Sequence, residues 1–111
     1  DVYVRVWATI QTAIASTLNN GTLAVGVAGN TGGILPATTA NGTNFTQDIV
    51  WVDATATTNG KAFAAANTNW VPIATGADII CTIATNSMTS GALVFYCQYV
   101  AVSTTGAVAA A

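Results

Sequence analysis

Charged side chains are scarce in this chain. Its 111 residues include two basic and four acidic ones, and it has no histidine and no glutamate. Acid–base catalysis relies mostly on histidine, aspartate, glutamate and lysine, and a hydroxyl nucleophile needs a base beside it. We therefore predict a protein that is not an enzyme, with no catalytic and no cofactor-binding residues.

The same scarcity limits the partners. Arg5 and Lys61 are the only cations, and the net charge is −2. Two cations cannot neutralise a run of phosphates, so we predict no nucleic-acid partner. The longest apolar run, residues 92–97, is far shorter than the roughly 20 residues that span a bilayer. We therefore predict no membrane partner. The first residues lack the basic segment that is typical of a signal peptide, so no signal peptide is predicted.

Metal ligands are also few. Asp48 and Asp53 fall on opposite faces of a regular strand. Asp53 with loop carbonyls could bind a hard cation, but we interpret both as solvated carboxylates. Cys81 and Cys97 without histidine do not supply the four ligands of a zinc site. They could form a cross-strand disulfide, but we favour buried free thiols because a short covalent loop adds little stability. We predict no metal site.

The composition favours self-association. Hydrophobic residues make up 52% of the chain and charged residues 5%, whereas ordinary soluble domains have about a quarter charged residues. Free monomers use net charge to stay apart in solution. We therefore predict a homo-oligomer in which much of the surface is covered. The alternative is a neutral, threonine-rich extracellular domain.

Alternation of apolar and polar residues predicts a long first strand. One face carries Val2, Val4, Val6, Ala8, Ile10 and Ile14. The other carries Tyr3, Arg5 and Trp7. A period of two with β-branched and aromatic residues is typical of a strand, and the Asn-Gly pair at 20–21 predicts a turn after it.

Further strands are predicted over residues 22–28, 48–52, 70–73, 77–85 and 92–102, and residues 29–44 are predicted as a long loop. The last two strands are expected to form a hairpin, with Cys81 opposite Cys97 and Ile83 opposite Phe95. About six strands without an amphipathic helix predict an all-β domain, an antiparallel β-sandwich or jelly-roll-like fold over residues 1–102. An extended tail over residues 103–111 follows.

The three tryptophans have two interpretations. Trp7, Trp51 and Trp70 could line an exposed face and stack on sugars. They could also build the core or a subunit interface, where aromatic residues supply much of the buried area. We favour the core or interface because each tryptophan lies within an apolar strand pattern.

Several segments resemble small structural proteins of tailed bacteriophages. The resemblance is carried by LAVGVAGNTGGIL (23–35), DIVWVDAT (48–55), WVPI (70–73), DIICTIAT (78–85) and TSGALVFYC (89–97). It implies a virion component, and within that group a capsid decoration (cement) protein on the outer surface of the capsid. The partner implied is the major capsid protein, and trimeric clusters are common in that class.

Candidate capsid or subunit contacts are Ile34, Leu35 and Pro36 in the predicted loop, with Tyr3 and Trp7 on the first strand. Three alternatives stay open. The chain could be a tail, fibre or spike subunit of the virion, a glycan-binding β-sandwich module, or a subunit of a bacterial surface filament or layer.

Overall fold

The computed structural model describes residues 1–41, 44–52 and 70–109. Within them the chain forms two antiparallel sheets packed against each other, so the all-β sandwich is confirmed. The strands are β1 (Val2–Ser16), β2 (Thr22–Val27), β3 (Asn30–Thr39), β4 (Val50–Trp51), β5 (Val71–Ile73), β6 (Ile80–Ala84) and β7 (Met88–Ala101). In the first sheet β1 lies between β7 on one side and β4 and β5 on the other; the second sheet has the order β3-β2-β6.

The alternation predicted for β1 is confirmed. Its even-numbered residues from Val2 to Ile10 are buried in the core between the sheets. The odd-numbered residues face outward, and Tyr3 is exposed. Pairing with β7 is regular from Val2 opposite Ala101 to Ile10 opposite Leu93. Beyond Ile10 the register between the two strands shifts, which indicates bulges. Residues opposite each other in a ladder share a face, so β1 fixes the inward and outward faces of β7.

Two crossovers between the sheets lie side by side. A 3-10 turn (Thr17–Asn19) leads from β1 to β2, and residues 85–87 lead from β6 to β7. The Thr17 N–H donates to the Ser87 carbonyl at 3.0 Å, and the Asn86 side-chain amide donates to Asn20 Oδ1. A Cβ at Gly21 would lie 2.6 Å from the Asn86 carbonyl oxygen. The first two and last two strands are therefore joined closely at one end.

The predicted hairpin of the last two strands is wrong. β6 pairs with β2, placing Cys81 opposite Val25, whereas β7 pairs with β1, placing Cys97 opposite Val6. The two cysteines therefore lie on facing sheets. Both arrangements point the same residues inward, so the apolar pattern that fits a hairpin fits a crossover equally well.

The predicted loop over residues 29–44 is also wrong, because β3 occupies most of it and forms a tight hairpin with β2. Gly29 turns the chain with a φ of 86°, and Gly26 leaves no room for a Cβ beside the Asn30 carbonyl. Ile34 and Leu35 are buried in the core. Their burial outweighs the glycines and Pro36, which reduce strand propensity.

The segment from Asn44 to Val52 closes one side of the sandwich. The Ile10 N–H donates to the Ile49 carbonyl at 3.0 Å, and the Ile14 N–H donates to the Phe45 carbonyl at 2.9 Å. Phe45 and Trp51 are fully buried, with ring centroids 5.2 Å apart in an edge-to-face arrangement. This side of the core is therefore covered by the chain itself.

The described part of the tail turns back on the domain. The Gly106 N–H donates to the Ser103 carbonyl at 3.1 Å, and Val108 packs against the core. Asp53, Lys61 and the last two residues of the tail lie outside the described residues.

Candidate functional site

The outward side of the first sheet carries a group of aromatic side chains, here called the outer aromatic face: Tyr3, Trp7, Trp70 and Tyr96. Trp7 and Tyr96 are register partners on β1 and β7. Their rings stack with centroids 5.6 Å apart and an interplanar angle of 14°. The pairing of two outward positions on neighbouring strands therefore builds the centre of this face.

Arg5 links the two sides of the outer aromatic face. Its guanidinium carbon lies 5.0 Å from the centroid of the Trp70 ring, within the range of a cation–π interaction. Arg5 Nη2 also donates to Gln98 Oε1 at 2.6 Å. The four residues of the outer aromatic face are uncharged, and Arg5 adds one formal charge beside them. This surface is therefore aromatic and nearly neutral.

The candidate contact residues divide between two places. Tyr3 and Trp7 lie on the outer aromatic face, but Ile34 and Leu35 lie in the core and Pro36 lies with them in β3. Ile34 and Leu35 therefore do not form an exposed contact loop. Replacing either with aspartate would bury an unpaired carboxylate and unfold the domain, so such variants cannot test capsid binding.

The side of the sandwich formed by β6 and β7, here called the open edge, is not covered by described residues. Ile83, Phe95 and Tyr99 point toward the other sheet but are 55%, 40% and 45% exposed. Between the strands lies an apolar groove of about 240 Å³, lined by Val6, Val25, Ile79, Ile80, Cys81, Phe95, Cys97 and Val108. Core-type residues at this edge therefore remain accessible.

Cys81 and Cys97 both line the groove and are free thiols in the structure. The expectation that they are buried is wrong, because each reaches solvent at the open edge. Partial burial still raises the pKa of both thiols above its ordinary value. Reactive cysteines need a lowered pKa, so these thiols are poor nucleophiles at neutral pH.

Residues 1–41, 44–52 and 70–109 bring together no group of three or more histidine, cysteine or acidic side chains that could hold a metal ion. The same residues contain no helix of sufficient length and apolarity to cross a membrane. What the described surface offers chemically is apolar contact, aromatic stacking and backbone hydrogen bonding.

Sequence reasoning missed the open edge and the contribution of Trp70 and Tyr96 to the outer aromatic face. A signal for both was present in residues 92–97, where inward positions (Phe95, Cys97) and outward positions (Val94, Tyr96) are all apolar. A strand that is apolar on both faces is usually buried on both faces by other parts of a protein. The predicted hairpin hid this signal, because it would place the inward residues inside the domain.

The chain matches no protein-family model, no curated protein and no solved structure.

Proposed function

We propose that this protein is a non-enzymatic structural subunit of a bacteriophage virion, and that it decorates the outer surface of the capsid and stabilises the head shell. The observation that carries the proposal is the outer aromatic face, on which Tyr3, Trp70 and Tyr96 are exposed. Arg5 stacks on it as the one charged side chain that the described residues place against its rings. Aromatic and arginine side chains are the residues that most often dominate the energy of protein interfaces. The resemblance of the strand segments to phage structural proteins supplies the partner, the major capsid protein.

The architecture supports this role. A sandwich held by a long central strand presents Tyr3 and Trp7 on a rigid sheet, so little conformational entropy is lost when they bind. A decoration protein occurs in many copies on one shell. Modest affinity at each site then becomes strong attachment if neighbouring copies are joined, because the second contact is intramolecular.

The test is co-sedimentation with phage heads assembled from the major capsid protein that this proposal names as the partner. We expect the wild-type protein to sediment with heads and to raise their resistance to heat. Tyr3→Asp places a charge on the outer aromatic face and should weaken binding at least tenfold. Leu18→Asp is the matched control, because Leu18 is also exposed but lies in the crossover turn.

Wild-type protein that stays in the supernatant would refute capsid decoration. Binding to tails or spikes seen by electron microscopy would replace it with a role at that part of the virion. Equal binding by the Tyr3→Asp and Leu18→Asp variants would remove the outer aromatic face from the contact.

Glycan binding is a second candidate function, favoured by the rings of Trp7, Trp70 and Tyr96 on one face. This function predicts a change in tryptophan fluorescence when host-surface glycans are added. The Trp70→Ala variant should lose that change, whereas Leu18→Ala should keep it. A protein that binds heads and shows no response to glycans would leave capsid decoration as the function.

A further inference from the structure

β7 has one edge with no partner among the described residues. Along its other edge it pairs with β1 over almost its whole length. Its 14 residues, Met88–Ala101, contain no charged residue and no proline. Soluble proteins usually protect edge strands by charges, proline, shortness or a covering segment. An exposed edge this long and uncharged is a template for strand pairing.

We propose that β7 pairs antiparallel with β7 of a second copy of this chain, about a two-fold axis perpendicular to the sheet. The two first sheets become one continuous sheet, and the outer aromatic faces of both copies lie on the same side. The virion role gains affinity if copies are joined, but it assigns no surface to that contact. This pairing does not depend on that role.

The lengths of the strands favour a second copy of this chain as the partner of the free edge of β7. β4, β5 and β6 have two, three and five residues, so none of them offers a long match for β7. β3 has ten residues, but Pro36 lacks an amide donor and its pairing with β2 is irregular. Within the described residues, β1 is as long as β7 but is paired along both edges. The remaining match is β7 itself, whose pairing is regular from Leu93 to Ala101.

A two-fold axis also suits the side chains. In a symmetric antiparallel pair, outward residues of one copy lie opposite outward residues of the other. Val94, Tyr96 and Val100 of one copy would therefore meet the same set from its partner, and valine–aromatic pairs across strands are favourable. No like charges are brought together, because β7 has no charge.

The exposed area is consistent with a dimer. With about 200 Å² for a whole aromatic side chain, the exposed parts of Phe95, Tyr96 and Tyr99 together come to about 250 Å² on each copy. A standard interface buries about 800 Å² on each partner. The exposed parts of Ile83, Val94, Val100 and Val102 and the strand backbone contribute to the remainder.

The pairing would also cover the groove. Phe95 and Cys97 lie on β7, and Cys81 faces them from β6. A second copy along β7 brings its own open edge beside this groove, so the inward-facing residues of both copies would lose solvent together. The incomplete core at the open edge would then be completed by the partner.

The experiment measures mass by light scattering after size exclusion at micromolar concentration, using the full chain. We expect a mass twice the 11.1 kDa of one chain. Val94→Lys adds a charge at the edge and should raise the dimer dissociation constant at least tenfold. Thr9→Lys is the matched control, because Thr9 is the register partner of Val94 on the same outward face but lies on the central strand. It should leave the mass unchanged.

Hydrogen exchange locates the contact. We expect slow exchange along residues 93–101 in the wild-type protein, and faster exchange of the amides on the free edge in Val94→Lys. If that variant fails to fold by circular dichroism, Val100→Lys at the same edge replaces it. Loss of the dimer with faster exchange in β7 alone supports the proposal.

Four results would overturn it. The first is a wild-type monomer at the same micromolar concentration. The second is a mass of three chains, because β7 has one free edge and a two-fold pair closes at two. The third is equal behaviour of Val94→Lys and Thr9→Lys. The fourth is a monomer that binds an extended peptide along β7, because the peptide would then replace the second copy as the partner of this edge. Binding to heads is measured separately, so failure of the virion role leaves the mass result intact.

Discussion

At the scale of the residue, Trp51 combines full burial with a satisfied polar group. Its Nε1 donates to Thr38 Oγ1 at 3.1 Å, and the Thr38 hydroxyl donates to the Pro36 carbonyl at 2.9 Å. A tryptophan is seldom fully buried unless its N–H has a partner. The position of β4 therefore depends on a threonine of β3 as well as on apolar packing.

Removing the Trp51 ring should be among the most costly single changes. We expect Trp51→Ala to lower the free energy of unfolding by about 3–5 kcal/mol through the lost contacts and the cavity. Thr38→Val should cost about 1–3 kcal/mol, because it leaves the indole N–H buried without an acceptor. Urea unfolding followed by circular dichroism measures both. Leu18→Ala, at an exposed position, should stay within about 0.5 kcal/mol of wild type.

The thiols give a pH dependence with a definite sign. Partial burial raises the pKa of Cys81 and Cys97 in the folded protein, so folding favours the neutral thiol. That contribution is complete below the ordinary thiol pKa of about 8.5 and is lost as the pH rises through the raised pKa. The free energy of unfolding in urea should therefore decrease from pH 8 to pH 10.

The matched variant replaces both Cys81 and Cys97 with alanine and should show a smaller decrease over the same pH range. An equal decrease in the two proteins would mean that the thiols do not cause the effect.

The tryptophans show what residue patterns can and cannot predict. The core or an interface was favoured for all three, but Trp7 and Trp70 lie outside the core. The alternation in β1 predicted Trp7 on the face away from the valines, where the structure has it. Trp51 was expected in the core or an interface, and its burial confirms the core. That Trp70 would meet Arg5 was not predictable, because the contact depends on the pairing of β5 with β1 between segments distant in sequence.

At the scale of the element, local patterns predicted strands better than they predicted partners. β1 was predicted because its alternation matches the burial of one face. β2 was predicted from the same alternation, although the structure buries both of its faces. β3 was missed because Gly32, Gly33 and Pro36 indicate a loop by composition, whereas the burial of Ile34 and Leu35 is a tertiary effect. The hairpin of β6 and β7 was wrong because inward and outward positions do not distinguish a neighbour in one sheet from a neighbour across the core.

Gly91 lies opposite a bulge in β1, where Ala13 and Ile14 together face this one residue of β7. This residue has a φ of 120°, and a Cβ on it would lie 2.6 Å from Ile14 Cα, where the pairing with β1 shifts register. Gly29 also has a positive φ, 86°, but a Cβ there would have no neighbour within 4 Å. Any other residue at either position would have a strained backbone, and the two positions differ in the steric overlap that a side chain would meet.

We therefore expect Gly29→Ala to cost about 1–2 kcal/mol from the backbone alone. Gly91→Ala should cost about 1–3 kcal/mol more, because the added methyl group overlaps β1. Thermal and urea unfolding of both variants measure the difference. Equal losses would show that β1 moves away from β7 at little cost.

At the scale of the whole molecule, low charge and exposed aromatic side chains belong together. The composition predicted an oligomer, but it could not say which surface is shared, because that depends on which edge the fold leaves open. The structure describes such an edge along β7 and an aromatic face beside it. A protein with few charges cannot rely on repulsion between copies to keep these surfaces apart.

Association of this chain should depend little on salt. Salt screens interactions between charges, and β7 contains no charged residue. We expect the dissociation constant of the dimer to change by less than about threefold between 50 mM and 500 mM sodium chloride, since screening has no charged pair to act on. Sedimentation equilibrium at both salt concentrations measures it. Tenfold weakening at high salt would indicate that charged groups elsewhere hold the copies together.

The pairing of β1 with β7 has a consequence for synthesis. Val2 lies opposite Ala101 and Ile10 opposite Leu93. The long central strand β1 therefore cannot pair with β7 until residues 93–101 have been synthesised. A ribosome-bound chain that ends before β7 can form the β2–β3 hairpin but cannot complete the first sheet. Such non-local pairing is slow, on the order of milliseconds to seconds. Until β7 pairs with β1, the apolar face of β1 is exposed to other copies that are being synthesised on the same messenger RNA.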